Sequence, residues 1–119
     1  MSQKKGEVIL NISLDDDNMP AKIDWNASGY SEDKNREAKS FLLSIWDKQD
    51  QSTLRVDLWT KDMKQDEMHF FFFQSFMTMA DTFQRATNDE ELTQMIRSFG
   101  QQFAEKSSYI KTDKGQSES

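Results

Sequence analysis

Residues 54–76 read LRVDLWTKDMKQDEMHFFFFQSF, and the spacing of their apolar side chains changes midway. Leu54, Val56 and Leu58 fall at every second position, the period of a strand with one wet face. Beyond Thr60 the period becomes about 3.6: Met68, Phe72, Phe76, Met79, Phe83 and Ala86 lie within about 40° of one line along a helix. The switch divides the chain into an extended half and a helical half.

Working back from Leu54, the segment Lys39 to Asp47 carries Phe41, Leu43 and Ile45 in the same alternation. Pairing Ile45 with Leu54 around a turn at Gln49-Asp50 brings Leu43 opposite Val56 and Phe41 opposite Leu58. A one-residue slip would exchange these apolar partners for Arg55 and Asp57, so the register is well specified. The opposite face then carries Ser44 against Arg55, Leu42 against Asp57, and Trp46 and Trp59 towards opposite ends. Nearer the N-terminus, Val8, Leu10, Ile12 and Leu14 alternate, the run 15–20 (DDDNMP) is turn chemistry, and Ile23 and Trp25 resume the alternation. Placing Leu14 opposite Ile23 sets Ile12 opposite Trp25. The polar stretch from Ser28 to Glu37 reads as a long, mobile loop.

Working forward, the first helix is expected from about Lys64 to Thr87. Asn88 should open a second, with Glu91 as its capping partner and Asp89 and Glu90 favourable near the positive helix end. Leu92, Met95, Ile96, Phe99 and Phe103 form the apolar face of that helix. Gly100 inside it costs about 1 kcal/mol relative to alanine, which marks close packing or a weak point. The sequence therefore predicts an α+β fold: a four-stranded antiparallel sheet followed by two helices packed on one face. One domain should span residues 6–110, between a flexible N-terminus (1–5) and a disordered tail (111–119) without an apolar side chain.

Composition narrows the function. The 119 residues hold 15 Lys and Arg against 21 Asp and Glu, a net charge of −6, which argues against neutralising a nucleic-acid backbone. The absence of cysteine removes disulfides, thiol nucleophiles and cysteine metal sites. The start of the chain lacks an apolar signal-peptide core, and no apolar run approaches the roughly 18 residues of a membrane span. The expectation is a soluble, cytoplasmic protein without direct membrane insertion.

Few residues invite a chemical reading. His69, the single histidine, is the natural general base or ligand, yet it stands beside the core stripe without partners for a metal set. Asp15, Asp16, Asp17 and Asn18 lack the spacing of a calcium loop. Arg55, Asp57, Asp62, Asp66 and Glu67 gather charge near the strand–helix junction, but acids in a first helical turn are what the helix dipole favours. No glycine-rich phosphate loop or nucleophile elbow occurs. No catalytic, cofactor-binding or metal-binding residue is therefore expected. The informative feature is a second stripe on the first helix, Phe70, Phe73 and Met77, which packs against the second helix or serves a partner. Trp46 and Trp59 on the outer sheet face are a further candidate contact surface.

Three runs carry a family resemblance: residues 54–63 (LRVDLWTKDM), residues 79–88 (MADTFQRATN) and Phe103-Ala104-Glu105-Lys106. Together with Asp66-Glu67-Met68 they resemble the gliding motility protein GldC family over about residues 6–110. The resemblance implies a small accessory protein of the bacterial gliding machinery, which is linked to type IX secretion. With the apolar surfaces above, the expectation is an interaction protein whose partners are gliding or secretion components or a second copy of itself. A rival expectation is a holdase-like export chaperone, since an acidic chain of four strands and two helices rich in Met and Phe resembles the outline of SecB-type chaperones.

Overall fold

The computed structural model describes residues 4–29 and 36–110. The tail at 111–119, the extreme N-terminus and most of the loop expected to be mobile lie outside the described residues. Two compact units divide the chain, one ending at Met63 and the other beginning at Lys64.

The first unit holds five strands in order: β1 (Val8–Leu14), β2 (Pro20–Ala27), β3 (Arg36–Ala38), β4 (Ser40–Asp47) and β5 (Ser52–Trp59). They do not make a single four-stranded sheet. β1, β2 and β3 form one antiparallel sheet, and β4 and β5 form a second. The expected third strand, Lys39 to Asp47, is present as β4; β3 is an additional strand at the end of the stretch expected to be a loop, and a bend at Lys39 separates the two. Arg36–Ala38 pairs with Trp25–Ile23, and the chain beyond the bend pairs only with β5. Thr60 secures the bend, donating its N–H to the Lys39 carbonyl at 2.8 Å. No apolar alternation announces β3, because Arg36 and Glu37 are charged.

The β4–β5 register is the expected one, with Ile45 opposite Leu54, Leu43 opposite Val56 and Phe41 opposite Leu58. The β1–β2 register differs by two residues: Ile12 faces Ile23 and Leu10 faces Trp25, with an irregularity at Ser13/Leu14. The turn is tighter than the apolar pattern suggests. One oxygen of the Asp15 carboxylate accepts from the N–H groups of Asp17 and Met19, and the Asp15 N–H reaches the Met19 carbonyl at 2.9 Å, so pairing resumes at Pro20. A shift of two keeps every side chain on its face. The row Ile12–Ile23–Ala38 runs across the sheet, and Ile23 at its centre is fully buried.

The second unit is a hairpin of α1 (Gln65–Thr87) and α2 (Glu90–Lys106). α1 begins with the Glu67 carboxylate accepting from the Lys64 N–H at 2.9 Å. Asn88 does not open α2. It closes α1 in the left-handed region, φ 56°, where asparagine is tolerated, and its N–H reaches the Gln84 carbonyl. Asp89 caps α2 instead, accepting from the Leu92 N–H at 3.1 Å.

Small residues set the helix contact. Thr93, Gly100 and Ala80 are buried, and a Cβ on Gly100 would stand 2.6 Å from the Met77 sulfur and 3.5 Å from Phe76 Cβ. The glycine thus leaves room for the Met77 side chain, which any larger residue there would have to displace. Around it Phe76 meets Phe99 and Phe103 edge-on at 5.2 and 5.3 Å, and Arg97 bonds Asp81 on α1 at 2.6 Å.

Candidate functional site

The two expected contact surfaces fall in different units. Trp46 and Trp59 belong to the first unit; Phe70, Phe73 and Met77 belong to the second. The tryptophans stand on one face of the β4–β5 ribbon at opposite ends, Trp46 opposite Thr53 and Trp59 opposite Ser40. Both are exposed, at 67% and 59%. On α1 all three stripe residues are half-buried, and Met77 is the side chain that lies against Gly100 of α2. Burial against the second helix, one of the two fates open to that stripe, therefore applies to Met77.

The apolar surface that sequence spacing assigned to packing is found elsewhere. Leu92, Met95 and Phe99 on α2 are exposed, Met95 at 62% and Phe99 at 54%. Met95 and Phe99 line a shallow groove together with Glu91, Gln94, Ser98 and Gln102. These large side chains were legible as apolar but not as exposed. Hydropathy marks a face, whereas the closest approach of two helices selects small residues, here Thr93 and Gly100.

In the β4–β5 ribbon both faces carry exposed apolar groups. Ile45, Leu54 and Val56 are about half exposed on the face opposite the tryptophans. Arg55 and Asp57 share the tryptophan face, joined by a loose bond of 3.4 Å within one strand.

The chemically suggestive residues are held in structural bonds. His69 Nδ1 lies 2.7 Å from the Ser107 hydroxyl, whose oxygen also accepts from the Ile110 N–H and so caps the last helical turn. The His69 ring packs on Tyr109 and Phe103 at 4.7 and 6.1 Å. Asp15 uses one carboxylate oxygen in the turn and the other in an ion pair with Lys61. The Lys61 side chain, then the turn N–H groups, hold the Asp15 carboxyl below its usual value of 3.8. The Thr60 hydroxyl does the same to Asp62. No cluster of three potential metal ligands occurs among the described residues, and no described helix is long and apolar enough to cross a membrane.

Because its carboxyl is depressed in the folded state, Asp15 contributes stability that is full above the unfolded value near 3.8 and is lost as pH falls through the folded one. Acidification from about pH 5 to about pH 3 should therefore lower the thermal midpoint of the native chain more than that of Asp15→Asn, since asparagine has no proton to bind. Parallel melting curves across that range check this.

A family model described as gliding motility-associated protein GldC-like matches residues 20–109, from β2 through α2. No curated protein and no solved structure matches the chain.

Proposed function

Since the chain belongs to the GldC-like family of gliding motility-associated proteins, we propose that it is a non-enzymatic cytoplasmic accessory of the gliding machinery that works through protein–protein contacts. The observation that carries this reading is the exposure of large apolar side chains in both units: Trp46 and Trp59 on the ribbon, Met95 and Phe99 on α2. Water-exposed tryptophan on a sheet face is costly surface for an isolated chain, and tryptophan, phenylalanine and methionine are the residue types enriched where proteins meet. Its partners are components of the gliding apparatus or of the secretion system linked to it, and copies of the chain itself.

Genetic replacement tests the reading. A gliding strain lacking the protein should regain motility with His69→Ala, because no chemistry is assigned to that ring, and should not regain it with Trp46→Ser/Trp59→Ser at equal abundance. Restoration by the tryptophan variant, or a loss confined to His69→Ala, contradicts the proposal.

The same exposed Met and Phe side chains favour a second reading, a holdase-like export chaperone. That activity requires suppression of the aggregation of an unfolded client at stoichiometric amounts, and its failure there removes the chaperone reading.

A further inference from the structure

β5 is an unusual edge. In the two-stranded sheet it pairs with β4 alone, so among the described residues its other side has no strand beside it. It is eight residues long, pairs without a bulge, and contains no proline, glycine or lysine, the features by which edge strands normally resist pairing with another chain. Two-stranded ribbons are marginal in water, and a third strand is the usual remedy.

The sequence of β5 is self-complementary about Val56 in its leucines and its charges. Leu54 mirrors Leu58, Thr53 mirrors Trp59, and Arg55 mirrors a residue of opposite charge, Asp57. From this we propose that β5 pairs with β5 of a second copy, antiparallel and centred on Val56, so that two ribbons join into one four-stranded sheet. The proposal rests on reading the chain as a contact protein, and it names one partner.

In that pairing Arg55 stands opposite the partner's Asp57, and Asp57 opposite the partner's Arg55. The apolar face continues across the two-fold axis, with Leu54 opposite the partner's Leu58 and Val56 opposite the partner's Val56. A two-fold contact of this kind must be self-complementary, and opposed charges of opposite sign meet that condition.

Backbone geometry agrees with the register. Thr60 donates to the Lys39 carbonyl, which makes that facing pair a hydrogen-bonded one. Alternation along the ladder then turns the N–H and C=O groups of Ser52, Leu54, Val56 and Leu58 towards β4. Those of Thr53, Arg55, Asp57 and Trp59 point outward. The proposed register joins outward residues only, Arg55 with the partner's Asp57 and Thr53 with the partner's Trp59, two bonds for each facing pair.

Charge rejects the alternatives. A parallel pairing in register sets Arg55 beside Arg55 and Asp57 beside Asp57. Slipping the antiparallel pairing by two residues sets one of these like-charged pairs face to face. A slip by one turns the apolar face against the charged one. In the single chain the two side chains are half-exposed and joined by only a 3.4 Å contact, so both are available for the second copy.

The test uses the full chain in solution. Sedimentation at micromolar concentration should give twice the 14.0 kDa of one chain. Arg55→Asp and Asp57→Arg, each placing like charges opposite one another twice per dimer, should weaken association about ten-fold or more. The combined variant Arg55→Asp/Asp57→Arg exchanges the signs, restores the opposed pairs and should return the affinity to near that of the native chain. Hydrogen exchange gives an independent readout should a single variant fold poorly: in the native chain the amides of Thr53, Arg55, Asp57 and Trp59 should gain protection as concentration rises. The pairing is overturned by a native chain of one-copy mass, by dimers indifferent to the single reversals, or by a combined variant no tighter than the singles. A one-copy mass leaves the motility test of the tryptophans to decide the contact reading by itself.

Discussion

Replacing Ile23 by alanine should destabilise the strand unit by about 2–4 kcal/mol, the cost of deleting a fully buried branched side chain whose site cannot collapse. Ile23 is the largest apolar side chain with no exposure in that unit, and it sits between Ile12 on β1 and Ala38 on β3. Three strands therefore lose a common neighbour in one substitution. Urea denaturation should show a lower midpoint with an unchanged slope, since the same surface is exposed on unfolding. Ile23→Val, which keeps the branch and removes one methyl group, should cost about 1 kcal/mol.

The helical unit has an equivalent centre. Phe76→Ala should cost about 2–4 kcal/mol, because its ring contacts Phe72 on its own helix and Phe99 and Phe103 on the other. Loss of that ring leaves Gly100 facing Met77 as the main close contact at the same level of the hairpin. Phe71 makes its ring contact with Phe72. Phe71→Ala should accordingly lose less than about half as much. Thermal melts of the two variants, followed by helical circular dichroism, compare the effects directly.

The distribution of these effects shows what the amino-acid order made visible. The β4–β5 register was readable because Arg55 and Asp57 alternate with Leu54, Val56 and Leu58, and any odd slip would place charge on the apolar face. The β1–β2 register was readable only in its parity. Its length depends on the Asp15 carboxylate drawing in the N–H groups of Asp17 and Met19, a bond that hydropathy does not report. The short strand β3 left no trace, since Arg36, Glu37 and Ala38 read as the end of a polar loop. Likewise Asn88 and Asp89 both suit a helix start, and the left-handed close of α1 decides between them.

The candidate surfaces were half legible. The alternation of β4 and β5 places Trp46 and Trp59 on one face, opposite Leu43 and Val56, but it does not announce that both faces of the ribbon are exposed. The exposed face of α2 was hidden for the opposite reason. Leu92, Met95 and Phe99 have the spacing of a core stripe, yet the fully buried residues of α2 are Thr93 and Gly100, and Phe99 gives only part of its surface to its edge-on contact with Phe76. A buried glycine on a helix is the signal that points to the true contact face, and the close approach to Met77 and Phe76 gives that signal its meaning.

Solvent access of the two ribbon tryptophans in the isolated chain tests the contact account most directly. In a Trp25→Phe chain, whose remaining tryptophans are Trp46 and Trp59, acrylamide should quench the fluorescence nearly as well as it quenches free tryptophan. Emission that is already shielded from the quencher, in a folded chain whose mass shows a single copy with nothing bound to it, would show those rings enclosed by the chain and contradict a surface kept open for other proteins.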